Sequence, residues 1–225
     1  MPRRTWSGRL LDAAAVVLPG VRRVRAQKEP FARAWDEANR AALATGRPLW
    51  VALGDSMTQG IGARTPDGGW VPRLHARLGE PFAVVNLSAS GARIADVLDH
   101  QLPRLHALPM PPALVTVLVG ANDMLTPARR RGTAARFGRL LAQLPPGRSV
   151  VATLPRRNAE ARAINALIDA DDRVRVAELR GPALSPVRGS LADDWFHPND
   201  AGYARIADLF EAPVRAVASG RHGTL

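Results

Sequence analysis

Residues 49–60 read Leu-Trp-Val-Ala-Leu-Gly-Asp-Ser-Met-Thr-Gln-Gly, and this stretch decides the fold. Its first five residues are apolar, have strand character, and end abruptly in Gly54-Asp55-Ser56. Open parallel α/β sheets bind their ligands in the crevice outside the carboxyl ends of the strands. A serine held on a tight turn there is placed to act as a nucleophile. It would then need a base, an acid to orient the base, and donors for an oxyanion.

Segments of strand character alternate with amphipathic helical patterns along the rest of the chain. Residues 114–119 form a nearly continuous apolar, β-branched run, which is typical of a strand buried on both faces. Strands that alternate with helices indicate parallel βαβ units. We therefore predict an α/β fold, a three-layer α/β/α, doubly wound, parallel five-stranded sheet of the flavodoxin-like type. The predicted strands are residues 49–53, 82–87, 114–119, 149–154 and, at an edge, 174–179.

The 225 residues suit one sizeable α/β domain with a full hydrophobic core. We predict that residues 1–29 form a basic N-terminal arm and that residues 218–225 form a tail. Residues 30–217 between them form the domain, which begins with a helix that packs on the sheet. The sequence shows no internal repeat and no linker long enough to divide this domain.

The chain is strongly basic, with 31 Lys and Arg residues against 20 Asp and Glu and a formal net charge of +11. This excess reflects either a GC-rich coding genome or attraction to an acidic partner. We expect the N-terminal arm to be a loosely docked tail, and binding to an anionic membrane surface is the alternative. We expect no nucleic-acid partner.

The sequence contains no cysteine, which excludes disulfides, thiolate catalysis and cysteine zinc sites. Arg3, Arg4 and the apolar residues that follow imitate a secretory signal, but Asp12 interrupts the apolar run and no suitable cleavage site follows. No stretch approaches the ~18 apolar residues that a membrane span needs. We therefore predict a cytoplasmic protein, with membrane association through the arm as the alternative.

His197 is the histidine best placed to serve Ser56 as a base, because it lies in a loop three residues after Asp194. In a tight turn, that spacing brings the carboxylate to Nδ1 of the histidine and leaves Nε2 for the serine. The neighbouring Asp193 is a rival for the orienting acid, although the three-residue spacing favours Asp194. The same stretch also suits an ordinary helix N-terminus, and the two interpretations are compatible.

Three groups are candidate donors to an oxyanion: the backbone N–H of Ser56, the backbone N–H of Gly91 and the side-chain amide of Asn122. Gly91 follows the second predicted strand and Asn122 follows the third. Because the carboxyl ends of parallel strands share one rim of the sheet, the fold gathers both residues near Ser56. Taken singly, Gly91 and Asn122 also suit ordinary turns after strands.

Four sequence blocks occur together in an order that resembles the SGNH hydrolases, the GDSL-type esterase and lipase superfamily. The resemblance covers residues 48–212, and its blocks are residues 54–60, 86–92, 120–123 and 194–198. It implies that Ser56 is the nucleophile, His197 the base and Asp194 the acid. It places the glycine and the asparagine of the oxyanion hole on Gly91 and Asn122, beside the N–H of Ser56.

The resemblance implies a serine esterase that hydrolyses small-molecule or lipid acyl esters through an acyl-enzyme. An acyltransferase or a carbohydrate deacetylase would use the same residues and is the first alternative. A basic protein that binds nucleic acid or an anionic membrane is the second, but it leaves the four blocks unexplained. No His, Asp or Glu cluster has metal-ligand spacing, and no phosphate or dinucleotide loop is present, so we expect no metal and no cofactor.

Trp70, Trp195 and Phe196 are the aromatic residues that we predict to contact the acyl group of a substrate. Trp195 and Phe196 lie inside the block that contains Asp194 and His197, and Trp70 begins a predicted helix. Packing in the core or at the rim of the sheet is equally compatible with each of them.

Overall fold

The computed structural model describes four stretches of the chain, residues 18–79, 81–155, 157–181 and 189–220. Their helices are α1 (Pro19–Ala26), α2 (Lys28–Leu43), α3 (Ser56–Gln59), α4 (Trp70–Arg77), α5 (Ile94–Asp96), α6 (Leu102–His106), α7 (Pro127–Arg130), α8 (Thr133–Ala142), α9 (Ala159–Ala170) and α10 (Asp200–Ser219). A π-helical turn, Val97–Gln101, joins α5 to α6, and 3-10 turns occupy Pro66–Gly68 and Asp123–Leu125. Across these stretches, no helix is both long and apolar enough to cross a membrane.

A five-stranded sheet forms the centre of the fold. Its strands are β1 (Leu49–Gly54), β2 (Ala83–Asn86), β3 (Leu114–Leu118), β4 (Ser149–Ala152) and β5 (Val174–Ala177). The strand order is β2-β1-β3-β4-β5, and every neighbouring pair is parallel. The predicted doubly wound α/β sheet is therefore confirmed, with β5 at an edge as expected.

The alternation of side chains along β1 explains the two cores of the protein. All six residues of this strand are buried, and successive side chains of a strand point to opposite faces. Leu49, Val51 and Leu53 enter the core that α5, α6, α8 and α9 cover. Trp50 and Ala52 enter the opposite core, beneath α4 and α10. Covering both faces in this way leaves the polar ends of the strands at the rim.

Part of the predicted arm is helical and packs on the domain. Helix α1 buries Val21 and Val24, which lie three residues apart and therefore share one face. Val24 packs against Phe31 of α2 and Ile61 of the loop after α3, so this stretch differs from the expected loosely docked tail. The remaining arm residues, 1–17, and residues 221–225 of the predicted tail lie outside the described residues. The domain boundaries stay a prediction.

Candidate active site

Ser56 lies at the carboxyl end of β1, as the first residue of α3. The carboxylate of Asp55 accepts a hydrogen bond from the N–H of Met57 at 2.9 Å and caps this short helix. A Cβ atom on Gly54 would lie 2.2 Å from Oγ1 of Thr58 and 2.3 Å from the carbonyl oxygen of Leu118, so the turn requires glycine. At the first helical position, the N–H of Ser56 has no acceptor within the helix.

Gln101 supports this turn from the π-helical segment. Its side-chain oxygen accepts from the N–H of Gly54 at 2.8 Å, and its amide donates to the carbonyl oxygen of Gly54 at 2.8 Å. One buried side chain thus satisfies both backbone polar groups at the end of β1. Sequence reasoning missed this role, and the only indication was a polar residue on the apolar face of the predicted helix.

His197 joins Ser56 to Asp194 by two side-chain hydrogen bonds. Its Nε2 atom lies 2.9 Å from Oγ of Ser56, and its Nδ1 atom lies 2.5 Å from Oδ2 of Asp194. Because an ionised carboxylate only accepts hydrogen bonds, this contact places the proton of a neutral imidazole on Nδ1. Nε2 then carries the lone pair and faces the serine hydroxyl.

The loop around Asp194 fixes which acid contacts His197. The second oxygen of Asp194 accepts from the backbone N–H groups of Phe196 and His197 at 3.1 and 3.0 Å. Burial alone would raise the pKa of Asp194, but the hydrogen bonds from His197 and from these N–H groups outweigh it and lower the pKa below its usual value. Asp193, the rival acid of the sequence analysis, forms an exposed ion pair with Arg23 at 2.5 Å instead.

Two hydrogen bonds connect the loops that follow β2 and β3. The side-chain amide of Asn122 donates to the carbonyl oxygen of Ala92 at 3.0 Å, and Asp123 accepts from the N–H of Ile94 at 3.0 Å. Gly91, next to Ala92, has a φ of +84°, a conformation that favours glycine. Within the described ranges, no hydrogen bond joins Gly91 or Asn122 to Ser56 or His197. The two hydrogen bonds therefore link the loop that contains Gly91 to the loop that contains Asn122, and Asn122 keeps an amide proton for a further acceptor.

The N-terminal helices hold a loop against which His197 packs, a feature that the sequence analysis missed. Gln27, between α1 and α2, accepts from the N–H of Gly62 and donates to the carbonyl oxygen of Ala63, each at 2.8 Å. A Cβ atom on Gly62 would lie 2.8 Å from Cβ of His197 and 2.4 Å from the carbonyl oxygen of Pro198. The loop that Gln27 holds is thus in close contact with the histidine loop.

A cavity of about 330 Å³ opens beside Ser56, lined by both of its neighbours, Asp55 and Met57. Trp195 and Phe196 also line it, and the ring of Phe196 stands edge-on to the imidazole of His197 at 4.9 Å. The other lining residues are mostly apolar; they are Leu118, Val119, Ala121, Thr153, Leu154, Pro155, Leu179, Ser190, Leu191, Pro198, Gly202, Arg205 and Ile206.

Trp70 does not lie at this cavity, in contrast to the sequence prediction. Its side chain has 0% exposure and stacks on Phe210 with the ring centroids 4.1 Å apart. Trp70 and Leu74 are four residues apart on α4, so they share the face that points to the core. Trp70 is therefore a core residue that connects α4 to α10.

Burial of Asp55 predicts a specific pH dependence of stability. Burial raises the pKa of this carboxyl to about 7, whereas an aspartate in an unfolded chain titrates near ~4. Between these values the folded state keeps a proton that the unfolded state has lost, so the free energy of unfolding falls as the pH rises from ~4 to about 7. Relative to wild type, we expect Asp55→Asn to gain on the order of 4 kcal/mol between pH 4 and pH 8.

Urea denaturation of both proteins at the two pH values measures this gain. The amide oxygen of asparagine still accepts from the N–H of Met57, so the cap is preserved at either pH. The same stability difference between the variant and the wild type at pH 4 and pH 8 would contradict the prediction.

A serine, a histidine and an aspartate are joined by hydrogen bonds at the carboxyl rim of a three-layer α/β sheet, an arrangement that serine hydrolases use on several unrelated folds. A family model identifies the group further, because the model of the GDSL-like lipase/acylhydrolase family matches residues 52–205. The chain belongs to this family and is a hydrolase of ester bonds. The resemblance to SGNH hydrolases is thereby confirmed.

Solved structures share the same fold. The crystal structure of TesA has 24% sequence identity and a TM-score of 0.59, and the match covers 75% of this chain and 99% of that one. A family 3 carbohydrate esterase of Clostridium thermocellum has 18% identity and a TM-score of 0.57, over 78% of this chain and 98% of that one. The salicylyl-acyltransferase SsfX3 from a tetracycline biosynthetic pathway has 18% identity and a TM-score of 0.51, over 77% and 56% of the two chains. No curated protein sequence gives a significant match.

Proposed function

We propose that the protein is a serine esterase that hydrolyses carboxylic esters through an acyl-enzyme. The observation that carries the proposal is the chain of contacts from Asp194 to His197 at 2.5 Å and from His197 to Ser56 at 2.9 Å. Both distances lie within the reach that general base catalysis needs. The family assignment supports the same reaction class.

In the proposed mechanism, Nε2 of His197 takes the proton of Ser56 as Oγ attacks the acyl carbonyl carbon. Asp194 holds the imidazole in the required tautomer and stabilises the imidazolium that forms. The tetrahedral intermediate collapses as His197 gives this proton to the leaving alcohol. Water then attacks the acyl-enzyme with His197 again as the base, which releases the acid and restores the hydroxyl of Ser56.

The N–H groups of Ser56 and Gly91 and the amide of Asn122 are the proposed donors to the oxyanion. The hydrogen bond from Asn122 to Ala92 orients the amide without using both of its protons. Because the oxyanion develops fully only in the transition state, we expect Asn122→Ala to lower kcat by roughly 10²–10³-fold and to change KM little. Steady-state kinetics with a p-nitrophenyl ester measure both constants. Near-full activity of the variant would contradict the role of Asn122.

Hydrolysis of p-nitrophenyl esters of graded acyl length tests the proposed function. The cavity beside Ser56 is mostly apolar and has a volume of about 330 Å³, near the lower end of the ~300–1,000 Å³ typical of ligand pockets. We therefore propose Trp195 and Phe196 as contacts of a short acyl group. Activity that rises from acetate to a short optimum supports the proposal, and no activity at any length would count against it.

An acyltransferase or a carbohydrate deacetylase is the second candidate, since the same residues would form the same acyl-enzyme. Two solved structures with this fold, a carbohydrate esterase and a salicylyl-acyltransferase, support this second candidate. The acceptor separates the alternatives, because an acyltransferase passes the acyl group to an alcohol in preference to water. Ester formation faster than hydrolysis in the presence of competing alcohols would favour transfer.

Binding of the N-terminal arm to an anionic membrane surface stays a prediction. The arm is arginine-rich, but residues 1–17 lie outside the described residues. Cytoplasmic location stays a prediction as well.

A further inference from the structure

One arginine lies among the apolar residues of the cavity beside Ser56. Gly202, Arg205 and Ile206 of α10 all line this cavity, and their spacing places them on one face of the helix. Asp55 is the other ionisable residue of the lining, but it is buried and accepts a hydrogen bond from the N–H of Met57. Among the described lining residues, Arg205 is therefore the only cation that faces the cavity.

Arg205 differs from the arginines around it because it has no partner within the described ranges. Arg215 on the same helix bonds to Glu211, and Arg77 of α4 bonds to Asp208 and Glu211. Arg205 is partly buried and yet forms no hydrogen bond or ion pair with a described residue. Among the described residues, only Trp70 and Arg136 have a fully buried side-chain nitrogen without a hydrogen-bond partner. The guanidinium nitrogens of Arg205 also lack a partner but are not fully buried, so they are accessible.

A guanidinium in partly apolar surroundings loses hydration, and a bound anion offsets this cost. Its planar set of N–H donors matches the two oxygens of a carboxylate and binds it in a bidentate manner. The apolar lining, which includes Leu154 and Leu179, suits the methylene groups of a short chain. The cavity thus combines a place for a short aliphatic segment with a recognition group for an anion.

We propose that Arg205 selects esters whose acyl group ends in a carboxylate, that is, half-esters of dicarboxylic acids. This inference rests on the proposed function, since it assumes that the acyl group bound to Ser56 occupies the cavity. Arg205 acts in it as a specificity-determining residue and takes no part in the bond changes at Ser56.

The test compares monoethyl esters of glutaric, adipic and pimelic acids with the ethyl esters of the corresponding half-amides, which have similar size and no charge. Ethyl esters are suitable because an aryl leaving group would let the free carboxylate attack its own ester. Proton release at constant pH gives kcat/KM for each substrate. We expect wild type to prefer the carboxylate over the half-amide by about tenfold to 100-fold for at least one chain length.

Arg205→Gln is expected to remove this preference, because kcat/KM for the carboxylates should fall by about tenfold to 100-fold, to the level of the half-amides. Arg205→Lys keeps the positive charge but lacks the planar set of N–H donors, so it should retain part of the preference for the carboxylate. Arg215→Gln is the matched control, because it removes one positive charge from the same helix at a residue that bonds to Glu211. It should leave the preference unchanged.

Equal preferences in wild type, Arg205→Gln and Arg215→Gln would overturn the inference. Hydrolysis of neutral esters without any anion preference would overturn this inference and leave the proposed function intact. No hydrolysis of any ester, neutral or charged, would overturn both.

Discussion

Ser56→Ala is expected to lower kcat for a p-nitrophenyl ester by about 10⁶-fold. The substitution removes the hydroxyl that lies 2.9 Å from Nε2 of His197. The change is small, and alanine is a good helix former, so α3 should persist. Thermal unfolding of the variant near that of wild type would show that the loss of activity is chemical.

Ser88→Ala and Ser90→Ala are matched controls for this experiment. Both hydroxyls lie in the loop after β2, but Ser88 bonds to Asn86 and Ser90 bonds to Gln59, so neither is paired with a base. We expect both variants to retain most of the wild-type activity. A fluorophosphonate that labels wild type and these controls, but not Ser56→Ala, would assign the nucleophile directly. A kcat of Ser56→Ala within about tenfold of wild type would mean that another group attacks the ester.

The sheet could be predicted from sequence because its determinants are local. Each strand is a short apolar run, and Leu114–Leu118 is buried at every position, as a parallel strand covered on both faces must be. The predicted and observed strands differ by at most two residues at any end, as when β5 ends at Ala177. Once the strands are known to be parallel, the loops after β1, β2 and β3 must share a rim, so Ser56 and Asn122 lie at the same edge of the sheet.

The contacts that hold the site in place could not be predicted, because they join residues far apart in sequence. Gln27 bonds to the backbone N–H of Gly62 and the backbone carbonyl of Ala63, and such groups, which nearly every residue has, leave no pattern in the sequence. Gln101 bonds to Gly54 in the same way. The core position of Trp70 could not be predicted either, since a large aromatic residue at helical spacing suits a core and a pocket equally well. It is established by the stacking of Trp70 on Phe210, which is far away in the sequence.

Asp194→Asn is expected to lower kcat by about 10⁴-fold. In wild type the carboxylate accepts the proton on Nδ1 of His197, and its low pKa keeps it ionised near neutral pH. An asparagine that turns its NH₂ group to Nδ1 would stabilise the opposite tautomer, with the proton on Nε2. The histidine would then have no lone pair to accept the proton of Ser56. Steady-state kinetics near neutral pH measure the loss, and the variant should fold normally.

Asp193→Asn provides the control, because it removes the same charge from the adjacent residue. Asp193 pairs with Arg23, and the two side chains are 58% and 71% exposed, so we expect this substitution to cost less than about 1 kcal/mol of stability. Activity should stay within about threefold of wild type. Since both variants change the local field by one charge, a large difference in kcat between them reports on the hydrogen bond to Nδ1. A comparable loss of kcat in Asp193→Asn would instead mean that the lower activity of both variants results from the changed charge of the loop or from its weaker contact with α1.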